Sequence, residues 1–328
     1  MSSPTRDSVQ KFSSANNLLA VKELVLSLLG YSVFIYGIYY SYSESIWLGY
    51  ILCTLVGGLF MIKVFTIQHD CGHGSFFTAP ILNTWTGRLL ALFTTMPYNA
   101  WKYEHDIHHS HVVDIDSISH GDITLLTVEQ YRELSPRDKF FYRLIRHPIF
   151  YLVVAPFVYF FVKSKIPGVW NRPNILSVAY TNIFILIIYG GLVWYFGFWT
   201  TVFVFVPAAY VGGIIGIGLF YLQHDYPEAT WFKKDDWSHE EASLQGSSLM
   251  VLPQPLEWLT HSIGYHHIHH LNSKVPGYRL RECYEQVPEM REVEPLSWRD
   301  VLEAYRLKLW SHERNSLINF AEADKVQS

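Results

Sequence analysis

Charge is scarce in this chain. Only 16% of its residues are Asp, Glu, Lys or Arg, where a soluble domain carries about a quarter. That shortage excludes an ordinary water-facing surface for much of the chain and points toward a membrane protein. Cysteine is rarer still. Cys53, Cys71 and Cys283 are odd in number and far apart, which excludes a disulfide framework and a thiolate zinc site. The N-terminal stretch MSSPTRDSVQKFSSANN has no apolar run and so lacks the core of a secretory signal; insertion is expected through an internal helix. No internal repeat is visible. The net charge of -4 excludes nothing.

What is plentiful is hydrophobicity, at 50% of residues. Four stretches reach the roughly 20 apolar residues that a helix needs to cross a bilayer: about 24–42, 46–67, 176–195 and 201–222. The second carries Lys63 near its end, and the others carry no charge. Very short connections, near 43–45 and 196–200, pair them into two antiparallel hairpins. Neither connection contains Lys or Arg, so both tips should point away from the cytoplasm and both termini into it. Lys63 then fits by snorkelling to the cytoplasmic interface. Residues 148–162 and 89–97 are apolar but below spanning length, and both contain proline; they are expected to be interfacial or buried. From about residue 225 the chain looks soluble, and its last dozen residues look like a loose tail.

The 16 histidines are not scattered. "HDCGH" places His69 and His73 at i, i+4. "HDIHH" places His105, His108 and His109 at i, i+3, i+4, and "HHIHH" repeats that spacing with His266, His269 and His270. Residues three and four apart share a helix face, so each cluster can aim two or three imidazoles at one point. Imidazole suits iron, zinc and copper. His69 follows the second span and His224 follows the fourth, at like depth on the side expected to be cytoplasmic. All the clusters can converge only if 148–162 does not cross alone, which supports four spans independently of the charge count. Nine imidazoles are too many for one ion and suit two. With no thiolate among them, iron is the natural candidate.

"HDCGHGSFF", "WKYEHDIHH" and "GYHHIHHLNSKVPGY" resemble the three histidine boxes of the membrane fatty acid desaturases, and "FYLQHD" and "ASLQGSS" look like that family's bacterial acyl-lipid branch. The resemblance covers roughly 45–285. It implies an all-α integral membrane protein, one domain over 1–328: four transmembrane helices beneath a cytoplasmic helical cap of about 68–175 and 223–315. It also implies a di-iron site, with molecular oxygen and two electrons, that removes two hydrogens from the acyl chain of a membrane lipid. Carried over box by box, the metal ligands are His69, His73, His105, His108, His109, His266, His269 and His270, with His224 as an isolated ninth. His267 leaves a register ambiguity, which the family's HxxHH pattern resolves toward His269. His111 should turn away, and His120, His147, His239, His261 and His312 read as surface or capping residues. Because all-imidazole ligation leaves metal charge uncompensated, Asp70, Asp106 and Asp225, each directly following a ligand, are expected as partners of the histidines.

No haem domain and no dinucleotide-binding glycine motif is present, so electrons should come from a separate, ferredoxin-type carrier, and the setting implied is a bacterial inner membrane. Gly212 and Gly216 serve either helix packing or a wall of the acyl tunnel. Nothing in the sequence sets which bond is oxidised, and the boxes alone do not separate a desaturase from a hydroxylase, an acetylenase or a carotenoid oxygenase on the same scaffold. A metal transporter, the rival from another class, would carry ligands at mid-bilayer depth, and the four apolar stretches contain no histidine.

Overall fold

The computed structural model describes residues 4–117, 123–323 and 325. Most of them are helical. A short α1 (Pro4–Gln10) precedes α2 (Asn17–Ser43), whose first turn is capped by Asn16 accepting from the backbone N–H groups of Leu18 and Leu19. Residues 44–46 lead into α3 (Trp47–His73). α4 (Pro80–Thr94) and α5 (Tyr98–Ser110) follow, then α6 (Val128–Glu133), α7 (Pro136–Ile145) and α8 (Ala155–Phe161). Gly197 alone joins α9 (Arg172–Phe196) to α10 (Phe198–His224). Short helices α11 (His239–Gln245), α12 (Gln254–Leu259), α13 (His266–Leu271), α14 (Gly277–Gln286) and α15 (Trp298–Ala304) complete the helical set used below.

Helices α2, α3, α9 and α10 are long and apolar enough to cross a membrane. All four outrun the apolar stretches that mark them in the sequence, because a helix ends where its backbone groups find other partners, not where hydrophobicity falls. The extension matters for α3 and α10. Each has 27 residues, about 40 Å at 1.5 Å per residue, against a hydrocarbon thickness of about 30 Å. The surplus lets the C-terminal turns, with His69, His73 and His224, stand clear of lipid. α3 stops at Gly74, whose φ of +66° suits the left-handed position that closes a helix.

α3 packs between α2 and α10. A Cβ at Gly58 would come within 2.3 Å of Val211, and one at Gly212 within 2.8 Å of Met61 and 3.1 Å of the Gly58 carbonyl. Small residues thus let α3 and α10 approach closely. Gly212 serves packing, whereas Gly216 also lines a cavity.

Four expectations need correction. Lys63 does not snorkel: it is 1% exposed and ion-paired with Glu23 of α2 at 2.7 Å. The partner was invisible in the sequence because it lies on another helix. The fold is not purely α. Strands β1 (Leu126–Thr127), β2 (Leu309–Ser311) and β3 (Ser316–Ile318) form one sheet, β1 parallel and β3 antiparallel to β2. Strands of two or three residues are too short to show a period. The end of the chain is not a loose tail throughout, since Leu317 and Ile318 are buried in the clusters around that sheet. Finally, His261 is no surface residue but is fully enclosed.

Residues 148–162 become a π-helical turn, Phe150–Val154, running into α8; this segment meets α7 at a 62° bend. Its outer side exposes Ile149, Val153, Phe157 and Val158. Residues 89–97 fall largely in α4, which buries Leu90 and Ala91 and exposes Leu89.

Candidate metal centre

Four helices supply the imidazoles. The last turn of α3 carries His69 and His73, α5 carries His105, His108 and His109, the last residue of α10 is His224, and α13 carries His266, His269 and His270. In three dimensions they sort differently from the boxes. His69, His73, His105, His109 and His269 form one group, and His108, His224, His266 and His270 form another, with the candidate ligand atoms of each group within 4.8 Å of one another. The i, i+3, i+4 clusters therefore split: α5 sends His105 and His109 to one group and His108 to the other, and α13 sends His269 to one and His266 and His270 to the other. The groups adjoin, and the rings of His109 and His270 stack at 4.1 Å.

Within each group most of the Nε2 atoms face one another. The separations are 3.1 Å for His73–His105, 3.0 Å for His105–His109 and 3.1 Å for His109–His269. In the second group they are 3.2 Å for His224–His266 and 3.0 Å for His266–His270. Two nitrogens bound about 2.1 Å from one ion, at about a right angle, lie about 3.0 Å apart, so this spacing fits a metal ion in each group. The charge state fits as well. Burial first, and neighbouring imidazoles after it, hold His105, His109, His266, His269 and His270 well below the ordinary histidine range. The rings are neutral and keep a free lone pair each. A donor set of imidazole alone suits iron, zinc or copper.

The other ring nitrogens decide how firmly each imidazole is aimed. His224 donates from Nδ1 to the Gly246 carbonyl at 2.9 Å. His69 donates from Nδ1 to Asp70 Oδ1 at 3.3 Å. Among the described residues the buried Nδ1 atoms of His266, His269 and His270 have no hydrogen-bond partner, so packing rather than a hydrogen bond from Nδ1 orients these α13 rings.

The three aspartates play three different parts. Asp70 is enclosed and meets His69. Asp106 does not turn to an imidazole; it pairs with Lys102 on the exposed flank of α5, because i, i+4 neighbours share a face while the residue after His105 is rotated away from it. Asp225 is buried against Arg146, 2.9 Å from Nη1, leaving the Gly246 carbonyl to hold His224. His267 points out of both groups, donating from Nε2 to the Met290 carbonyl at 3.1 Å. His111, beyond the end of α5, meets Ser110 Oγ and lies outside both groups. His147 and His312 are exposed and His239 is half-buried, whereas His120 lies outside the described residues.

An apolar cavity of about 330 Å³ runs against both groups, touching His69 and His105 of the first and His108 and His266 of the second. Its walls come from α3, α5, α10 and the 150–163 segment, including Phe65, Trp101, Phe160 and Phe220. A larger cavity of about 610 Å³ lies among α2, α4, α9 and α10 and has no histidine in its lining.

Comparison with known proteins gives concordant results. A sequence model of the fatty acid desaturase family matches residues 45–301. The "fatty acid desaturase" of Bacillus subtilis is 31% identical over 304 residues, covering 91% of this chain and 86% of its own. The "sn-1 acyl-lipid omega-3 desaturase (ferredoxin)" of Synechocystis is 28% identical over 285 residues, covering 83% of this chain and 76% of its own. The "sn-1 oleoyl-lipid 12-desaturase" of Synechocystis is 28% identical over 235 residues, covering 71% and 66%.

Proposed function

Because this chain belongs to the fatty acid desaturase family, an oxidoreductase family, we propose that it introduces a double bond into the acyl chain of a membrane lipid, as an integral membrane protein. The observation that carries this reading is an apolar cavity bordered by both imidazole groups. An alkyl chain in that cavity would lie beside two metal positions and away from water.

We read the nine imidazoles as ligands of two iron ions, five at one and four at the other. The chemistry supplied by two bound irons, with molecular oxygen, two electrons and two protons, is removal of one hydrogen from each of two neighbouring carbons, with two waters formed. The residues of the chain hold and orient. Neutral rings keep their lone pairs turned inward, Asp70 and the Gly246 carbonyl fix His69 and His224, and Trp101, stacked 4.7 Å from His105, closes the cavity beside that ring. The electron donor is read as a ferredoxin-type protein, in line with the printed name of the Synechocystis omega-3 relative.

The layout proposed with this is two hairpins with tips facing away from the cytoplasm, a cytoplasmic cap over residues 68–175 and 223–315 extended by the sheet to Ile318, both termini cytoplasmic, and a bacterial inner membrane as the setting. The whole chain is one functional domain. The test is expression in a host with saturated membrane lipids, followed by mass spectrometry of its fatty acids. Loss of two mass units from an acyl chain supports the reading. Gain of an oxygen atom instead identifies a hydroxylase, and an unchanged profile despite iron loading and a ferredoxin supply overturns the assignment.

A further inference from the structure

Behind His69 a line of polar groups joins α2, α3, α12, the first residue of α14 and, through His261, the loop between α12 and α13. Asp70 Oδ1 accepts from His69 Nδ1 at 3.3 Å, and Asp70 Oδ2 accepts from the Gly277 backbone N–H at 2.6 Å and from His261 Nε2 at 3.1 Å. On the far side of that ring, Lys63 Nζ donates to His261 Nδ1 at 2.9 Å. Lys63 is ion-paired with Glu23 at 2.7 Å and sits 4.6 Å over the ring of Trp258, whose indole N–H donates to Glu23 at 3.2 Å. Lys63, Asp70 and His261 are each at most 3% exposed.

The chemistry of these groups gives the line a direction. An ammonium group donates and never accepts, so His261 must present a lone pair at Nδ1. Its proton is then on Nε2, aimed at Asp70. Asp70 receives three donors, one of them His69 Nδ1–H, which leaves the Nε2 lone pair of His69 for a metal. We propose that Lys63 and His261 are positioning residues that set the tautomer and aim of His69 through Asp70, and thereby secure the five-imidazole metal site selectively. This inference rests on the two-metal reading above.

Two independent features show that the line is built rather than incidental. His261 and Ser262 both have φ of +56°, a left-handed backbone that residues with side chains adopt reluctantly. Gly277 admits no side chain, because a Cβ there would lie 2.3 Å from His261 Cδ2 and 2.6 Å from its carbonyl oxygen. The asymmetry between the groups follows from the contacts already given. The carboxylate stands behind the five-imidazole group, while His224 of the other group is held by a neutral carbonyl.

Cobalt(II) titration of the full-length protein in detergent, read by stoichiometry and visible absorption, tests the proposal without recourse to turnover. The variant is Glu23→Gln/Lys63→Met, which removes the donor together with its own ion-pair partner, so that neither Glu23 nor Lys63 is left as a lone buried charge. Wild type should bind two ions. The variant should bind one as wild type does and the other about 10- to 100-fold more weakly, the usual effect of losing an outer-sphere partner. His261→Leu should do the same, and His261→Gln, which keeps an acceptor for Lys63 and an N–H for Asp70, should restore the second ion. Equal affinity for both ions in wild type and the double variant overturns this inference alone. Fewer than two ions in wild type overturns the two-metal reading and this inference with it. Loss of both ions alike, or no rescue by glutamine, points to general packing and also overturns it.

Discussion

Histidine at position 224 is the sharpest case at the residue scale. It lies outside every cluster in the sequence, yet its ring stands 3.2 Å from His266 and its Nδ1 is held by the Gly246 carbonyl. Removing it would leave three imidazoles in that group. His224→Ala should therefore lose most activity and about half of the bound iron, as His270→Ala should, while the exposed His312→Ala stays near wild type; iron analysis beside fatty acid profiling reads all three. Unchanged iron in His224→Ala would remove it from the ligand set. His267 makes the opposite kind of prediction. Burial holds it down to about 4, against about 6.5 for an unfolded histidine. Between those values the unfolded chain takes up a proton that the folded one refuses. The stability this group confers is complete above pH 6.5 and drains away as pH falls toward 4, by roughly 3 kcal/mol in all. His267→Gln keeps a donor for Met290 and cannot protonate, so its unfolding temperature in detergent should fall less than that of wild type across that acid range.

Among the elements, α3 and α10 decide whether the two groups can meet. Each brings imidazoles on its last turn, and their spacing is set by glycines deep in the bundle. Gly212→Val would press a branched side chain against Met61 and the Gly58 carbonyl, where even a Cβ stands at 2.8 and 3.1 Å. Overpacking of this kind costs about 1–3 kcal/mol, and it acts on the separation between His69 and His224. The expected outcome is a lower unfolding temperature together with weakened iron retention, although no ligand has been touched. Gly191→Ala, with open space around its added methyl group, is the control on a neighbouring helix and should leave both unchanged.

For the whole molecule, the arrangement works only if every imidazole lies on one face of the membrane. In the layout proposed above that face is the cytoplasmic one, because neither 43–45 nor 196–200 contains Lys or Arg. Reporter fusions inserted near residue 44 and near residue 198 should both signal from the far side, and fusions at either terminus from the cytoplasm. A cytoplasmic signal at one tip alone would leave the two halves of the chain in opposite orientations and contradict the shared site seen in the structure.

Periodicity and hydropathy carried a large part of this into the sequence. Spans of about 20 apolar residues and histidines three and four apart are local patterns, because helix geometry turns spacing into direction, and these delivered the four long helices and the nine candidate ligands. What pairs across the chain left no local trace. Lys63 looked like a snorkelling cation until Glu23, 40 positions earlier, stood 2.7 Å away, and His261 looked like a surface residue until Lys63 and Asp70 closed on its two nitrogens. Asp70, Asp106 and Asp225 share one sequence context, an aspartate after a histidine, yet one meets a ring, one meets solvent and Lys102, and one meets Arg146. The five-and-four division of the imidazoles was equally unreadable, because adjacent histidines on α5 point about 100° apart and only the facing helices determine which group each direction reaches.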